Sequence, residues 1–237
     1  MVLDETKPLT GRADALVEPE WLESRLGDPA LRVVEVDVSP AAYREGHVPG
    51  AVLWNVYKDL KDSDYRPVGR EAVERLLQAS GITRESVVVF YGYAPAMGFW
   101  LMKLYGHADV RVLDASRATW QKEGRPWTVE VAKPTETLYR LPPEDERIRA
   151  PQTMVERAIG ERARVLVDVR SEAEYRGERF WPSGGMEKGG RAGHIPSAVH
   201  LPMDGLQDER GAFRPLPDLR RHFASLELRD EQEIIPY

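Results

Sequence analysis

The residues able to act on a substrate are arginines, histidines and one aspartate; none is a thiol. Asp168-Val169-Arg170 is followed by Tyr175-Arg176-Gly177 and then by Gly193-His194-Ile195-Pro196. A planar guanidinium such as that of Arg176 or Arg170 can pair two oxygens of an anionic group. Arg170 can equally form a structural ion pair. Asp168, at the end of an apolar run, either orients a following loop or caps it locally. His194, and His47 in the similar phrase Gly46-His47-Val48-Pro49, either fixes a turn by hydrogen bonding or moves a proton. The chain contains no cysteine, which excludes disulfides, thiolate metal sites and thiol catalysis within these residues. Its five histidines show neither HxxxH nor HExxH spacing, so no metal site is expected. Gly184, Gly185, Gly189 and Gly190 lack the following Lys-Ser or Lys-Thr of a phosphate loop.

Those residues sit in a chain that alternates short apolar runs with helical patterns. Runs over 33–36, 87–91, 110–113, 165–169 and 233–237 read as buried strands. Helices are expected over 70–80, 96–105 and 117–123, around Met154, Val155 and Ile159, and around Leu216, Leu219 and Phe223. Continuous apolar strands between helices imply a parallel sheet covered on both faces, an α/β fold. The segment 133–149 is rich in proline and charge and reads as a linker, which divides the chain into domains 1–132 and 150–237. The net charge of −6, with mixed signs, argues against a nucleic-acid partner. The arginines at 210, 214, 220, 221 and 229 read as a solvated helix face and its flanks. Apolar runs are too short for a membrane span, and the start of the chain lacks the pattern of a secretory signal, so a cytoplasmic location is the default expectation.

The chain repeats itself. Val33 to Val38 and Tyr43 to Val52 find partners in Val165 to Arg170, Tyr175 to Gly177 and Gly193 to Val199. Gly81 to Tyr91 parallels the stretch from Leu226 to Tyr237. Two copies at this spacing mean tandem domains, not a solenoid. The second copy carries an extra glycine-rich stretch over 178–192, expected to be a surface loop in which Trp181 packs against the other domain.

These phrases together resemble the tandem-domain rhodaneses, the thiosulfate and 3-mercaptopyruvate sulfurtransferases. In the first copy the resemblance also rests on Gly106-His107, Val110 to Asp114, Trp120 and Gly124-Arg125-Pro126. It implies two rhodanese-like domains, the first catalytically silent, with no cofactor. The second would carry a cysteine in the loop after its last strand here, cradled by loop and helix N–H groups. That thiolate would take sulfur from a small anionic donor and pass it to a thiol or cyanide acceptor. The resemblance places Arg176, and secondarily Arg170, at the donor, and makes His47 a candidate for a proton relay.

The position so implied is 238, directly after Tyr237, while Gly92 occupies its counterpart in the first copy. The 237 residues alone are therefore expected to be inactive. Without a counterpart of residues 92–127, the second domain is expected to be incomplete and not independently stable, exposing an apolar face and an unpaired strand near Ile234-Ile235. A UGA codon read in the cell as selenocysteine would produce a stop at this place. A frameshift, a fragmentary sequence or a genuine short product would produce one too. The alternative function is a non-catalytic rhodanese-like binding or scaffolding protein.

Overall fold

The structure, a computed structural model, describes residues 15–180, 191–226, 228, 229 and 231–237. The chain divides between Arg149 and Ala150 into two compact units.

The first unit contains β1 (Leu16–Val17), α1 (Pro19–Glu23), β2 (Leu31–Asp37), α2 (Pro40–Glu45), β3 (Val52–Asn55), α3 (Arg70–Ala79), β4 (Val87–Gly92), α4 (Pro95–Leu104), β5 (Val110–Leu113) and α5 (Arg117–Lys122). Its strands form one parallel sheet in the order β1-β5-β4-β2-β3. Successive side chains of a strand point to opposite faces, and the two cores follow that period. Val34, Val36, Val88 and Phe90 join α3 and α4 on one face. Val33, Val89 and Tyr91 join Leu22, Tyr43 and Trp120 on the other. This is the sheet covered on both faces that the continuous apolar strands implied.

Segment 133–149, expected from its composition to link the domains, lies on the first unit as a strap. Tyr139 and Leu141 are buried in the α3–α4 core. The Leu141 amide donates to Glu74 Oε1 at 2.9 Å, and Gln78 Nε2 donates to the Tyr139 carbonyl at 3.0 Å. The Tyr139 hydroxyl meets His107 Nδ1 at 2.7 Å.

The second unit contains α6 (Gln152–Ala158), β6 (Arg164–Asp168), α7 (Glu172–Tyr175), β7 (Val199–His200), a 3-10 turn (Met203–Leu206), α8 (Leu216–Ala224) and β8 (Glu233–Pro236). Its parallel sheet runs β7-β6-β8, the same arrangement as β3-β2-β4. Its core is smaller: Ala158, Leu166, Ala198 and Ile235 are buried together. Among the described residues β8 pairs only with β6, and Ile234 is exposed while Ile235 is buried. Residues 178–180, 191 and 192 of the inserted stretch are described. Trp181 and the four glycines at 184, 185, 189 and 190 lie outside the described residues.

The sheet register refines the repeat. Glu35 stands level with Tyr91, and Val34 with Val52. Val167 stands level with both Val199 and Pro236. The residues one step on, Asp168 and Tyr237, therefore occupy the places of Glu35 and Tyr91.

Candidate functional site

Asp168 ends β6 with its side chain fully buried. A buried carboxylate needs partners, and Arg170 supplies them two residues on. Its Nε donates to Asp168 Oδ1 at 3.0 Å and its Nη2 to Oδ2 at 2.5 Å, a bidentate pair. The Arg170 amide also donates to Oδ1, at 3.0 Å. Burial opposes the charge on Asp168, but Arg170 outweighs it, and the carboxyl lies below its ordinary range. The same Nη2 donates to the Gly193 carbonyl at 2.9 Å, tying this pair to the Gly193-His194-Ile195 loop.

Tyr237 completes the group. Its backbone N–H donates to the Val167 carbonyl at 2.9 Å, and its carbonyl accepts from the Val169 amide at 3.1 Å. Its hydroxyl accepts the Ile195 amide at 2.9 Å and lies beside the Asp168 carboxylate, close enough for each to shift the other's pKa. The Arg170 guanidinium lies 5.7 Å from the ring centroid, within cation–π range. Burial, with the Asp168 charge beside it, pushes the phenol above its ordinary pKa.

Tyr175, at the end of α7, stacks on His194 with ring centroids 3.8 Å apart and on His200 at 4.5 Å. His194 Nδ1 donates to the Tyr175 carbonyl at 2.9 Å, and His200 Nε2 to the Arg170 carbonyl at 2.8 Å. Ser171 and Glu174 form a reciprocal capping box that starts α7. Arg176 stands apart from this cluster. It is exposed and pairs with Glu172 one helical turn earlier, at 2.5 Å.

The first unit builds a parallel cluster. The Tyr91 hydroxyl donates to buried Glu35 and accepts the Val48 amide at 3.1 Å. Here the arginine comes from α5: Arg117 Nε lies 3.3 Å from Glu35 Oε1. Burial dominates at Glu35 and raises its pKa against the influence of Tyr91 and Arg117. His47 stacks on Tyr43 at 3.8 Å, as His194 does on Tyr175. Its two ring nitrogens face the carbonyls of Tyr43 at 2.7 Å and Glu130 at 3.0 Å. At the end of β4 the chain turns at Gly92, where φ is +107°. A Cβ there would lie 2.8 Å from the Val36 carbonyl oxygen, so glycine is required on both counts. The next two amides, Tyr93 and Ala94, donate to that same oxygen at 2.9 and 3.1 Å. Pro95 has no N–H, so neither it nor the two bonded amides of Tyr93 and Ala94 can hold an anion.

The residues read from the sequence thus separate. Asp168 and Arg170 are brought together, His194 is joined to them through Gly193, and Arg176 is left at the surface. The sequence reading missed Tyr237, His200 and the Glu35–Tyr91–Arg117 group. The available signal was the tyrosine at matching ends of the two repeats.

The rhodanese-like domain model matches this chain twice, over residues 18–123 and 151–237. A Saccharopolyspora erythraea protein named "Putative thiosulfate sulfurtransferase" is 36% identical over 95% of this chain and 82% of its own length. The sulfur carrier protein TtuD of Thermus thermophilus is 36% identical over 94% of this chain and 82% of its own. The crystal structure of SseA from Escherichia coli, a 3-mercaptopyruvate sulfotransferase, superposes with a TM-score of 0.80 at 19% identity, over 93% of this chain and 87% of that one. That likeness concerns the fold. The parallel sheets, the doubled tyrosine–carboxylate cluster and these relatives agree: the chain belongs to the rhodanese-like domain family and carries that domain twice.

Proposed function

We propose that the complete protein moves a sulfane sulfur from a small anionic donor, thiosulfate or 3-mercaptopyruvate, to a thiol or cyanide acceptor. The observation that carries this reading is the place of Tyr237. It stands at the end of β8 against Asp168, where the first unit turns through Gly92 into α4. The residue that follows Tyr237 enters the equivalent turn, and we assign the nucleophile, cysteine or selenocysteine, to it. The relatives named as sulfurtransferases support the same chemistry.

In this reading the thiolate or selenolate attacks the outer sulfur of thiosulfate. The donor's sulfur–sulfur bond breaks, sulfite leaves with the electron pair, and a persulfide or its selenium analogue forms. The acceptor then takes the sulfur and restores the nucleophile. Arg176 is the arginine free to meet the donor, by exchanging its exposed pairing with Glu172 for the donor's oxygens. His47 and His194 fix their turns, since each donates to the carbonyl of the tyrosine on which it stacks. The first unit is silent: its loop holds glycine where the nucleophile belongs, and its Tyr93 and Ala94 amides already donate to Val36.

The test is thiocyanate formation from thiosulfate and cyanide. The 237 residues contain no cysteine and are expected to give none; a chain continuing past Tyr237 with its nucleophile is expected to turn over. The nucleotides of codon 238 and the intact mass of the natural protein identify that residue. An extended chain that binds donor without turnover would favour a binding module instead.

A further inference from the structure

We propose that Asp168, Arg170 and Tyr237 act together as positioning residues that set the direction in which the chain leaves β8. This deepens the sulfur-transfer reading and rests on it for its catalytic consequence. Three observations carry it.

Tyr237 is held at both ends. Its backbone is bonded on each side to β6, through Val167 and Val169. Its hydroxyl accepts the Ile195 amide. A residue pinned at backbone and side chain leaves its successor little angular freedom.

Arg170 is committed to this task. Its Nε and Nη2 are spent on Asp168 and Gly193, and its guanidinium lies near the Tyr237 ring. It thereby joins the end of β6, the 193–195 loop and the end of β8.

The same device is built twice from different parts. In the first unit a glutamate replaces the aspartate, and the arginine arrives from α5 instead of from the chain two residues beyond the carboxylate. In both units the tyrosine hydroxyl also accepts a loop amide, Val48 or Ile195. In the first unit the residue after the tyrosine makes a tight turn whose amides fold back onto β2. The common purpose of both clusters is the trajectory of the residue after the tyrosine. A misplacement of about 1 Å at a reacting group can cost roughly a hundredfold in rate.

Tyr237→Phe and Tyr91→Phe provide a matched comparison, because each deletes one hydroxyl that accepts a loop amide, from Ile195 or Val48. In the chain extended past Tyr237, Tyr237→Phe is expected to lower kcat about ten- to a hundredfold with KM for thiosulfate unchanged. Tyr91→Phe is expected to lower the melting temperature comparably and leave turnover intact. Arg170→Lys should behave as Tyr237→Phe does; a rise in KM with unchanged kcat would make Arg170 a donor contact and overturn its positioning role. Equal turnover of Tyr237→Phe and wild type would overturn the proposal as a whole. A second readout does not depend on activity. In the 237-residue protein, hydrogen exchange at the Ile195 amide is expected to accelerate in Tyr237→Phe, while amides of α6 keep their rates. Unchanged Ile195 exchange would likewise overturn it. If the extended wild type gives no thiocyanate, the sulfur-transfer reading fails by itself, and the exchange measurement still decides whether the tyrosine positions this loop.

Discussion

At the scale of single residues, these domains treat buried polar groups in two ways. Asp168 stays charged because a bidentate arginine offsets its burial. His107 is instead held neutral. It is buried, its Nε2 faces the Ser86 carbonyl at 2.8 Å, and its Nδ1 faces the Tyr139 hydroxyl at 2.7 Å. A carbonyl can only accept, so Nε2 carries the proton and Nδ1 accepts from the tyrosine. Burial is the largest influence and lowers the pKa, and the nearby charges of Arg84 and Lys103 act in the same direction. The Ser86 carbonyl and Asp109 oppose them. The unfolded chain therefore binds a proton at a higher pH than the folded one. Stability is full above the unfolded value of about 6.5 and falls as the pH drops below it, by about 1.4 kcal/mol for each unit between the two pKa values. Melting curves taken between about pH 7.5 and pH 5 should show this slope, and His107→Gln should flatten it. An equal slope in the variant would assign the effect elsewhere.

At the scale of elements, close approach decides which positions tolerate change. Helix α4 crosses β4 at Gly98, where an added Cβ would sit 2.5 Å from the Phe90 ring. Gly98→Ala should cost about 1–3 kcal/mol by overpacking, despite the better helix propensity of alanine; denaturant unfolding measures it. The strap contains neighbours with opposite fates. Tyr139 is 1% exposed and Leu138 is 92% exposed. Tyr139→Ala should destabilise the first unit by about 3–5 kcal/mol. Leu138→Ala should change it by no more than about 0.5 kcal/mol. Equal effects would mean that the strap does not pack as described. Composition alone reads this segment as a linker, because its prolines and charges mask two apolar anchors.

At the scale of the molecule, the two copies differ in how much core they own. Among the described residues, the first unit buries both faces of a five-stranded sheet, whereas the second has three strands and a small buried cluster. Burial of apolar surface is the main favourable contribution to folding. The 237-residue protein is therefore expected to unfold in two steps, with amides of residues 150–237 exchanging before those of the first sheet. One cooperative transition with uniform protection would contradict this. Among the described residues, no helix is long and apolar enough to cross a membrane.

The sequence by itself did not announce the short elements at 16–17, 19–23, 40–45, 52–55, 172–175 and 199–200. It determined the α/β class, the duplication, the longer strands and helices of both copies, and the family. These follow from local periodicity and from phrases that the chain repeats, both of which are properties of neighbouring residues. It also determined that the 237 residues hold no thiol. The tertiary structure alone decided which charges meet. Glu35 lies inside an apolar strand, and nothing near it in sequence announces Arg117 or Tyr91 as its partners. Asp168 and Tyr237 stand side by side only because β8 lies against β6. Arg170 and Arg176 look alike as letters, yet one is bound to a buried carboxylate and the other stands in solvent. Partnership across a sheet depends on strand order and register, and these are set by the packing of the whole domain.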